Sequence, residues 1–289
     1  MSGSGPIPGS DVDVLVPAFD REGAVAVTLT GLLGQQVRPA RVVVSDQSPT
    51  GVVVGSALVA GVVRLLRARG TDVELLHHPS GQGVAENRAH LLSRARAPYV
   101  LFLDDDIVLE PEALGRLLAA MGELRTGLVA MAMTGLSFAD DVRPHEQESF
   151  EVLDRGAAAA PEVIRKGSPA WERWRLHNAA TPTHLGERLG LDRFAPDWAA
   201  YRIAWAAGCV LFDREVLQAT GGFDFWRDLG PAGYGEDVVA QLRVIEAAGG
   251  VGVLPTGAHH LELPTSVGTR NVDAYELVLG AGGVPQRSG

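Results

Sequence analysis

Leu101-Phe102-Leu103-Asp104-Asp105-Asp106 joins a hydrophobic run to three consecutive carboxylates. The apolar residues from Tyr99 to Leu103 predict a buried strand, and buried strands of open α/β sheets point their carboxyl ends toward the ligand crevice. Three adjacent carboxylates repel one another and destabilise a fold unless a cation neutralises them. Mg²⁺ or Mn²⁺ suits this position, because hard cations bind carboxylate oxygens and often share a substrate phosphate. The alternative is a solvated acidic turn before a helix that Pro111-Glu112 opens.

The composition is that of an ordinary soluble globular protein. The 289 residues are 46% hydrophobic and 21% charged, which suits one large α/β domain or a domain with an elaborated second half. The formal net charge of −10 argues against nucleic acid or an anionic membrane as the main partner. No apolar run approaches the ~20 residues of a membrane span, and the single Cys209 fits a reducing compartment. We therefore expect a cytoplasmic protein, with peripheral association at a membrane left open.

Strand and helix patterns alternate through the first half of the chain. Short apolar runs closed by turn residues predict strands, and apolar residues three and four apart predict helices. Strands are expected at residues 12–16, 41–44, 73–76, 99–103, 127–133 and 251–254, and helices at 24–33, 52–69, 84–96, 111–124, 213–219 and 236–248. An irregular stretch follows residue 137, and order returns over 203–212. This alternation predicts a mainly parallel sheet with helices on both faces.

Four segments share the motifs of one enzyme family. They are Val14-Leu15-Val16-Pro17-Ala18-Phe19-Asp20-Arg21, Val42-Val43-Val44-Ser45-Asp46-Gln47-Ser48, the stretch from Gly81 through Asn87 to Asp106, and Gly221-Gly222-Phe223-Asp224 with Gly235-Glu236-Asp237 and Arg243. In this order and at these spacings they resemble the inverting family 2 glycosyltransferases of the GT-A fold. The resemblance implies an α/β fold with a Rossmann-like, mainly parallel sheet flanked by helices and an irregular elaboration on the acceptor side.

The resemblance places the nucleoside of a sugar nucleotide against the ends of the first two strands. Pro17-Ala18-Phe19-Asp20 then borders the base and ribose, and Asp46 contacts the base. A carboxylate suits the imide N–H of uracil or the edge of guanine. The alternative for Asp46 is a cap on the following helix, and the alternative for Phe19 is a place in the core. Ser45 stands where the family usually has an acid.

The acidic triplet matches the D-x-D motif of the family. The resemblance implies that Asp106 binds Mg²⁺ or Mn²⁺ directly, and that Asp104 contacts the ribose or the metal and its water shell. Asp105 lies between them and is expected to turn away or to support the backbone, at the edge of the donor site. The metal acts as a Lewis acid on the leaving diphosphate.

A glycine-rich helix start precedes the triplet. Gly81 opens it, and backbone N–H groups at such a start can receive anions. Asn87 matches the Asn of the family. Many relatives carry Arg immediately before this Asn, whereas here Glu86 precedes it and Arg88 follows. Arg88 either supplies the missing charge to the donor or points to solvent.

The fourth segment is expected to supply the catalytic base. Glu236-Asp237 lies in the first turn of a predicted helix, where acids also complement the helix dipole. The Glu-Asp motif of the family implies that Asp237 deprotonates the acceptor hydroxyl and that Glu236 orients the acceptor. One carboxylate suffices, because the displacement is a single step and the departing diphosphate needs no proton.

Two adjacent histidines follow the last predicted strand. The family often places a histidine there, near the diphosphate or the metal. Adjacent side chains on an extended chain point in opposite directions, so at most one of His259 and His260 reaches that site. The spacing from Pro255 favours His260 as the metal ligand, with His259 as the alternative.

The expected organisation has four parts. Residues 1–10 form a flexible leader, and residues 11–136 form the half that binds the nucleotide sugar. Residues 137–200 form a variable insertion on the acceptor side. Residues 201–289 form the acceptor-binding and catalytic half with a C-terminal tail.

Two other enzyme classes with the same alternation do not fit. A Rossmann dehydrogenase needs G-x-G-x-x-G directly after the first strand, where this chain has Pro17-Ala18-Phe19-Asp20. A sugar nucleotidyltransferase typically has a glycine-rich basic loop at that place, which is also missing.

The sequence therefore predicts a metal-dependent inverting glycosyltransferase. It would move a sugar from a nucleoside-diphosphate sugar to the hydroxyl of a sugar, a lipid-linked glycan or a small molecule. UDP is the first expectation for the nucleotide, with GDP and dTDP as alternatives. The competing hypothesis is a catalytically degenerate nucleotide-sugar-binding or scaffold protein, against which the retained Asp104, Asp106 and Glu236-Asp237 argue.

Overall fold

A central β-sheet organises the protein. The structure is a computed structural model that describes residues 8–154, 156, 159–265 and 270–280. Within these residues the strands are β1 (Val12–Ala18), β2 (Arg41–Asp46), β3 (Asp72–His77), β4 (Tyr99–Leu103), β5 (Ile107–Leu109), β6 (Leu128–Ala130), β7 (Thr134–Gly135), β8 (Val152–Leu153), β9 (Ala199–Arg202), β10 (Cys209–Asp213), β11 (Gly233–Tyr234), β12 (Gly250–Leu254), β13 (Ala258–His260) and β14 (Val272–Asp273).

Helices cover both faces of this sheet. In the described part of the chain the α-helices are α1 (Glu22–Leu33), α2 (Ala57–Ala68), α3 (Val84–Arg94), α4 (Ala113–Leu124), α5 (Thr181–Arg188), α6 (Arg214–Ala219), α7 (Trp226–Leu229), α8 (Glu236–Ala248) and α9 (Ala274–Val278). None of these helices is long and apolar enough to cross a membrane.

The strand order brings the turns after β1, β2 and β4 to one edge of the sheet. Among the described residues the largest sheet has the order β3-β2-β1-β4-β10-β6-β12-β9-β8. Only β10 and β9 run against the other strands, so the predicted mainly parallel α/β fold is confirmed. Ala18 lies opposite Asp46, and Leu15 lies opposite Phe102. The carboxyl ends of parallel strands form the crevice in which such sheets bind ligands.

Alternation along β1 divides the core into two layers. Val14 and Val16 belong to the layer that packs under α1, α2 and α4. Leu15 belongs to the opposite layer, with residues of α3 and α8. Side chains of a strand point alternately to the two faces, so a strand buried on both faces reads as a continuous apolar run. Leu101, Phe102 and Leu103 of β4 also form a continuous apolar run, because this strand too is buried on both faces.

A second, small sheet fixes the position of the two histidines. Its order is β5-β13-β7, and His260 of β13 lies opposite Ile107 of β5. Since Ile107 directly follows the acidic triplet, this pairing brings the histidines to the carboxyl end of β4.

The ordered segment predicted over 203–212 is only partly a strand. β10 starts at Cys209, because the backbone of Ala206 bonds to a side chain and not to a neighbouring strand. Gln241 Oε1 accepts from the Ala206 N–H at 2.9 Å, and Gln241 Nε2 donates to the Ala206 carbonyl at 2.7 Å. The helix predicted over 52–69 begins only at Ala57, where the Ser56 hydroxyl accepts from the Val59 N–H.

The predicted leader lies largely outside the described residues, which begin at Pro8. The predicted irregular insertion contains α5, the short strand β8 and 3₁₀ turns. The weakly patterned tail contains β14 and α9, and its residues 281–289 also lie outside the described part of the chain.

Candidate active site

A deep cleft of about 1320 Å³ opens at the carboxyl ends of β1, β2 and β4. Most of the residues that the sequence singles out line it: Pro17, Ala18, Phe19, Gly81, Asn87, Arg88, Asp104, Asp105, Asp106, Glu236, Asp237 and His260. They come from both halves of the chain, so the fold assembles one site from motifs more than 200 residues apart.

The three consecutive acids have three different sets of partners. The Asp104 N–H donates to the Gly208 carbonyl at 2.9 Å, and the Thr28 hydroxyl donates to the Asp105 carbonyl at 2.9 Å. These bonds hold the turn after β4, and the side chains diverge from it. Asp104 faces Arg88, whereas Asp105 and Asp106 face Arg21.

Arg21, His260 and Asp106 form the first cluster in the cleft. Arg21 Nη1 lies 2.6 Å from Asp106 Oδ2, and His260 Nε2 lies 3.3 Å from the same oxygen. Burial alone would raise the pKa of Asp106, but its hydrogen bond with His260 and the charge of Arg21 hold that pKa below its ordinary value. The same hydrogen bond raises the pKa of His260. Arg21 Nη2 also donates to the Pro264 carbonyl.

Asp105 faces the cleft. Of its two expected orientations, the structure does not have the one that turns away from the site. Its carboxylate lies 3.3 Å from Arg21 Nη1 and 3.4 Å from the Phe19 N–H. Burial, and then the charge of Asp106, raise the pKa of Asp105 to about 7. Phe19 is 37% exposed, so it borders the cleft and is not part of the core.

Arg88 joins the acidic turn to the start of α8. Its Nη2 donates to Asp104 Oδ1 at 2.7 Å, and its Nε donates to Glu236 Oε1 at 3.0 Å. The guanidinium also lies over the Phe102 ring, 5.6 Å from the ring centre. Burial opposes the charged form, but the charges of Asp104 and Glu236 raise the pKa of Arg88 further above its ordinary value. Arg88 therefore does not point to solvent, and its contact with the donor stays a prediction.

Asp237 lies beside this pair and lines the cleft. Gly235 precedes α8 with a positive φ of 76°, which turns the chain so that Glu236 and Asp237 lie in the first turn. Burial, and then the charge of Glu236, raise the pKa of Asp237 above its ordinary value. Such a carboxyl group has a greater proton affinity than an exposed aspartate, as a general base requires.

The two histidines separate as their places on β13 require. His259 Nδ1 lies 3.1 Å from the Thr134 hydroxyl, and its Nε2 lies 2.8 Å from Glu110 Oε1. His259 therefore contacts Thr134 and Glu110 instead of the acidic turn, and His260 is the histidine that the structure brings to Asp106.

The structure does not bring Asp46 to the cleft. Its Oδ1 accepts from the Ser48 N–H at 2.9 Å and from the Ser48 hydroxyl, and its Oδ2 accepts from the N–H groups of Val53 and Val54 at 2.9 and 3.1 Å. The side chain is fully buried and holds the turn at Val53 and Val54, whereas the cap of α2 itself is Ser56. Asp20 is exposed and outside the cleft lining, and only its N–H bonds to Ser48 Oγ, at 2.9 Å.

Other residues of the cleft have no counterpart in the sequence prediction. Gln47, next to Asp46, lines the cleft, as do Lys166 and Trp171 of the insertion. The first motif ends at Arg21, the first basic residue of the sequence, and the motif does not predict its contact with Asp106. Gly83 is required by the packing of the glycine-rich loop, since its φ is 88° and a Cβ there would lie 3.0 Å from Pro231 Cα.

The donor set at the acidic turn fits a hard divalent cation that a substrate helps to hold. Asp106 and His260 offer an oxygen and a nitrogen that lie 3.3 Å apart. Among the described residues, no group of three or more His, Cys, Asp or Glu side chains forms a complete metal site. Mg²⁺ and Mn²⁺ sites commonly take few protein ligands and complete their shell with phosphate oxygens and water. Asp104 Oδ1 lies 2.7 Å from Arg88 Nη2, and the role of Asp104 at the ribose or the metal stays a prediction.

Comparison with known proteins decides the family. Residues 13–188, more than half of the chain, match the sequence profile of glycosyl transferase family 2. The chain belongs to this family. It is thus a family 2 glycosyltransferase, as its motifs predicted. No curated protein sequence matches the chain at a significant level.

Solved structures of other glycosyltransferases share the GT-A fold. S. aureus TarS 1-349 superposes with a TM-score of 0.52 at 17% identity, over 86% of this chain and 60% of that chain. The mannosyltransferase PcManGT from Pyrobaculum calidifontis, in complex with GDP-Man and Mn²⁺, has a TM-score of 0.51 at 14% identity, over 92% of this chain and 62% of that chain. GalNAc-T7 with UDP, GalNAc and Mn²⁺ has a TM-score of 0.54 at 15% identity, over 88% of this chain and 45% of that chain. The chain thus spans about 60% of the length of the TarS structure that it matches.

Proposed function

We propose that this family 2 glycosyltransferase moves a sugar from a nucleoside-diphosphate sugar to an acceptor hydroxyl, with inversion and with Asp237 as general base. The observation that carries the proposal is the arrangement of one cleft. The Asp106–His260 pair and the Asp237 carboxyl, with its raised pKa, line the same cavity. A single displacement needs a stabilised leaving group on one side of the sugar and a base on the other.

The donor lies between the end of β1 and the glycine-rich loop in this proposal. Pro17, Ala18 and Phe19 border the nucleoside, and Gly81 and Asn87 line the same cleft. UDP is the first candidate for the nucleotide, and GDP and dTDP are the alternatives. Structures of TarS with UDP-GlcNAc and of PcManGT with GDP-Man support a sugar nucleotide as the class of donor.

Asp106 and His260 would hold Mg²⁺ or Mn²⁺, which supplies positive charge to the departing diphosphate. The Mn²⁺ in the PcManGT and GalNAc-T7 structures supports this metal class. Asp104 contributes to the ribose side of the site while Arg88 holds one of its oxygens. Arg21 is the nearest cation to Asp106 and must yield part of that contact when the metal enters.

Asp237 accepts the proton of the acceptor hydroxyl as the new glycosidic bond forms. Its raised pKa makes it a stronger base once it is ionised. Glu236 is held by Arg88 and fixes the start of α8, which positions Asp237. The acceptor approaches past Trp171, Trp205 and Tyr234, which line the same cleft as Asp237.

Thermal melting with UDP, GDP and dTDP, each with and without Mn²⁺, tests the donor site. A nucleotide at a hundredfold excess over its dissociation constant stabilises the fold by about 2.7 kcal/mol. A shift with one nucleotide that depends on Mn²⁺ supports the proposal. No shift with any nucleotide, in a protein that melts cooperatively, contradicts it.

Asp237→Asn tests the base. The variant should keep the nucleotide-induced shift in melting temperature. Its rate of nucleoside-diphosphate release from sugar nucleotides should be about 10²- to 10⁴-fold lower than that of the wild type. Asp228→Asn is the matched control, because Asp228 is an exposed aspartate nine residues earlier and outside the cleft lining. Full turnover by Asp237→Asn would remove the role of this residue. Nucleotide binding by the wild type without turnover of any donor would favour the degenerate binding protein.

A further inference from the structure

Five residues that line the cleft lie between the end of β2 and the first turn of α3: Gln47, Pro49, Pro79, Gly81 and Asn87. In the proposed function this wall would border the nucleobase of the donor. This inference rests on the proposed sugar-nucleotide donor and concerns how the protein selects the base. Asp46, the residue that the motif suggests for this task, has both oxygens bonded within its own turn.

Gln47 is buried, and a hydrogen-bond network fixes its amide group. Its Nε2 donates to Glu86 Oε2 at 2.8 Å and to Ser80 Oγ at 2.9 Å. The Ser80 hydroxyl donates its own proton to Glu86 Oε2 at 2.6 Å, so it can only accept from Gln47. Both neighbours therefore require an N–H from Gln47, and the amide oxygen has to point away from them.

Glu86 stays in the form that this orientation requires. Its Oε1 lies 2.7 Å from His78 Nε2. Burial would raise the pKa of Glu86, but the hydrogen bonds from Ser80 and His78 bring it below its ordinary value. An ionised carboxylate only accepts hydrogen bonds, so a Gln47 amide turned by 180° would place two acceptors against each other.

Asn87 also lines this wall, but its amide oxygen is enclosed by the protein. Its Nδ2 donates to the Ser45 carbonyl at 3.0 Å, which leaves Oδ1 directed elsewhere. The residue is only 2% exposed, and its Oδ1 is buried without a hydrogen-bond partner among the described residues. A buried acceptor without a donor is unfavourable, and an oxygen enclosed in this way does not contact the open cleft.

We propose that Gln47, oriented by Glu86, selects the nucleobase, and that it selects bases with a ring N–H. Uracil, thymine and guanine carry a ring N–H donor on the edge that pairs in duplexes, whereas cytosine and adenine carry an acceptor nitrogen there. The carbonyl oxygen of Gln47 accepts from the former and repels the latter. Gln47 is a specificity residue in this proposal, and Glu86 is a positioning residue that acts through it.

UDP and CDP form the matched pair that tests the proposal, because the two bases are nearly equal in size. We expect the wild type, titrated calorimetrically in one Mn²⁺ buffer, to bind UDP at least thirtyfold more tightly than CDP, since a site built around a hydrogen bond strongly rejects a base that leaves it unpaired. In Glu86→Gln the new amide can donate or accept, so the Gln47 amide can turn over and donate to cytosine. The ratio should then fall to about threefold or less, through weaker UDP binding and stronger CDP binding.

Two further variants keep the test decisive. Gln82→Ala is the control, because Gln82 is exposed on the same loop and its side chain should leave the ratio unchanged. Gln47→Met has a similar volume and no amide, so it should remove the discrimination even if Glu86→Gln folds poorly. Equal binding of UDP and CDP by the wild type, or an unchanged ratio in folded Glu86→Gln and Gln47→Met, overturns this inference alone. Failure of UDP, GDP and dTDP to bind at all overturns the proposed function and this inference with it.

Discussion

Replacing Arg88 with methionine should destabilise the protein more than replacing any exposed charged residue of α3. The Arg88 side chain is 8% exposed and pairs at 2.7 Å with Asp104 and at 3.0 Å with Glu236, whose own side chain is 7% exposed. Methionine keeps the apolar stem beside the Phe102 ring but leaves Glu236 buried without its cation. Removing one partner of a buried ion pair costs about 3–5 kcal/mol. That is a large share of the about 5–15 kcal/mol by which domains are stable.

Arg94→Met is the matched control for this loss. Arg94 lies on α3 as Arg88 does, but its side chain is 43% exposed and its partner Glu74 is 25% exposed. An exposed pair contributes about 0–1 kcal/mol, because water screens the charges. Urea unfolding followed by circular dichroism gives both free energies of unfolding. A loss of less than about 1 kcal/mol in Arg88→Met, or a loss no larger than in Arg94→Met, would refute the view that this ion pair bridges the two halves of the site.

The double variant Arg88→Met/Glu236→Gln separates the ion pair from general packing. If the cost of Arg88→Met comes from the unpaired Glu236 carboxylate, neutralising Glu236 should restore a part of it, about 1–3 kcal/mol. If both losses simply add, the buried charge is not the cause and the packing of the Arg88 stem is.

Two further predictions concern other charged groups. Arg21→Gln should raise the Mn²⁺ affinity of the nucleotide-free protein about tenfold, since Arg21 Nη1 lies 2.6 Å from Asp106 and competes with a cation for it; unchanged or weaker Mn²⁺ binding in a titration would contradict this. Burial lowers the pKa of His177 to about 4, so the unfolded chain binds a proton that the folded protein does not, and stability present above pH 6.5 is lost as the pH falls toward 4. Between pH 7 and pH 4.5 the wild type should lose about 2–3 kcal/mol more than His177→Gln in urea unfolding, and equal losses in the two proteins would show that His177 does not titrate in this way.

The sequence was sufficient to predict the strand and the helix that carry the acidic residues of the site. Tyr99–Leu103 is the strand that its apolar run predicts, and α8 spans Glu236–Ala248 as its pattern predicts. Both elements have clear ends, the carboxylates after Leu103 and the glycines on either side of α8. Periodicity and turn residues are local signals, so such elements can be found without knowledge of the tertiary fold.

Partners across the fold could not be predicted in this way. Arg88 and Glu236 are 148 residues apart in sequence, and Arg21 and Asp106 are 85 apart. Asp46 and Gln47 are adjacent polar residues, and their sequence does not distinguish their roles. The fold does, because the Val53 N–H donates to the Asp46 carboxylate while Gln47 lines the cleft. The same reason applies to Lys166 and Trp171, whose irregular surroundings give no periodic signal although they line the site.

The charges of the cleft explain why donor and metal should bind together. Arg21 is shared by Asp105 and Asp106, and Arg88 is shared by Asp104 and Glu236. Each arginine thus faces two carboxylates, and burial, followed by the charge of a neighbouring carboxylate, still raises the pKa values of Asp105 and Asp237. A nucleoside diphosphate is itself anionic, so on its own it would add to the unfavourable charge. The divalent cation proposed at Asp106 and His260 would reverse the sign of that interaction, so the proposed donor should bind weakly until the metal accompanies it.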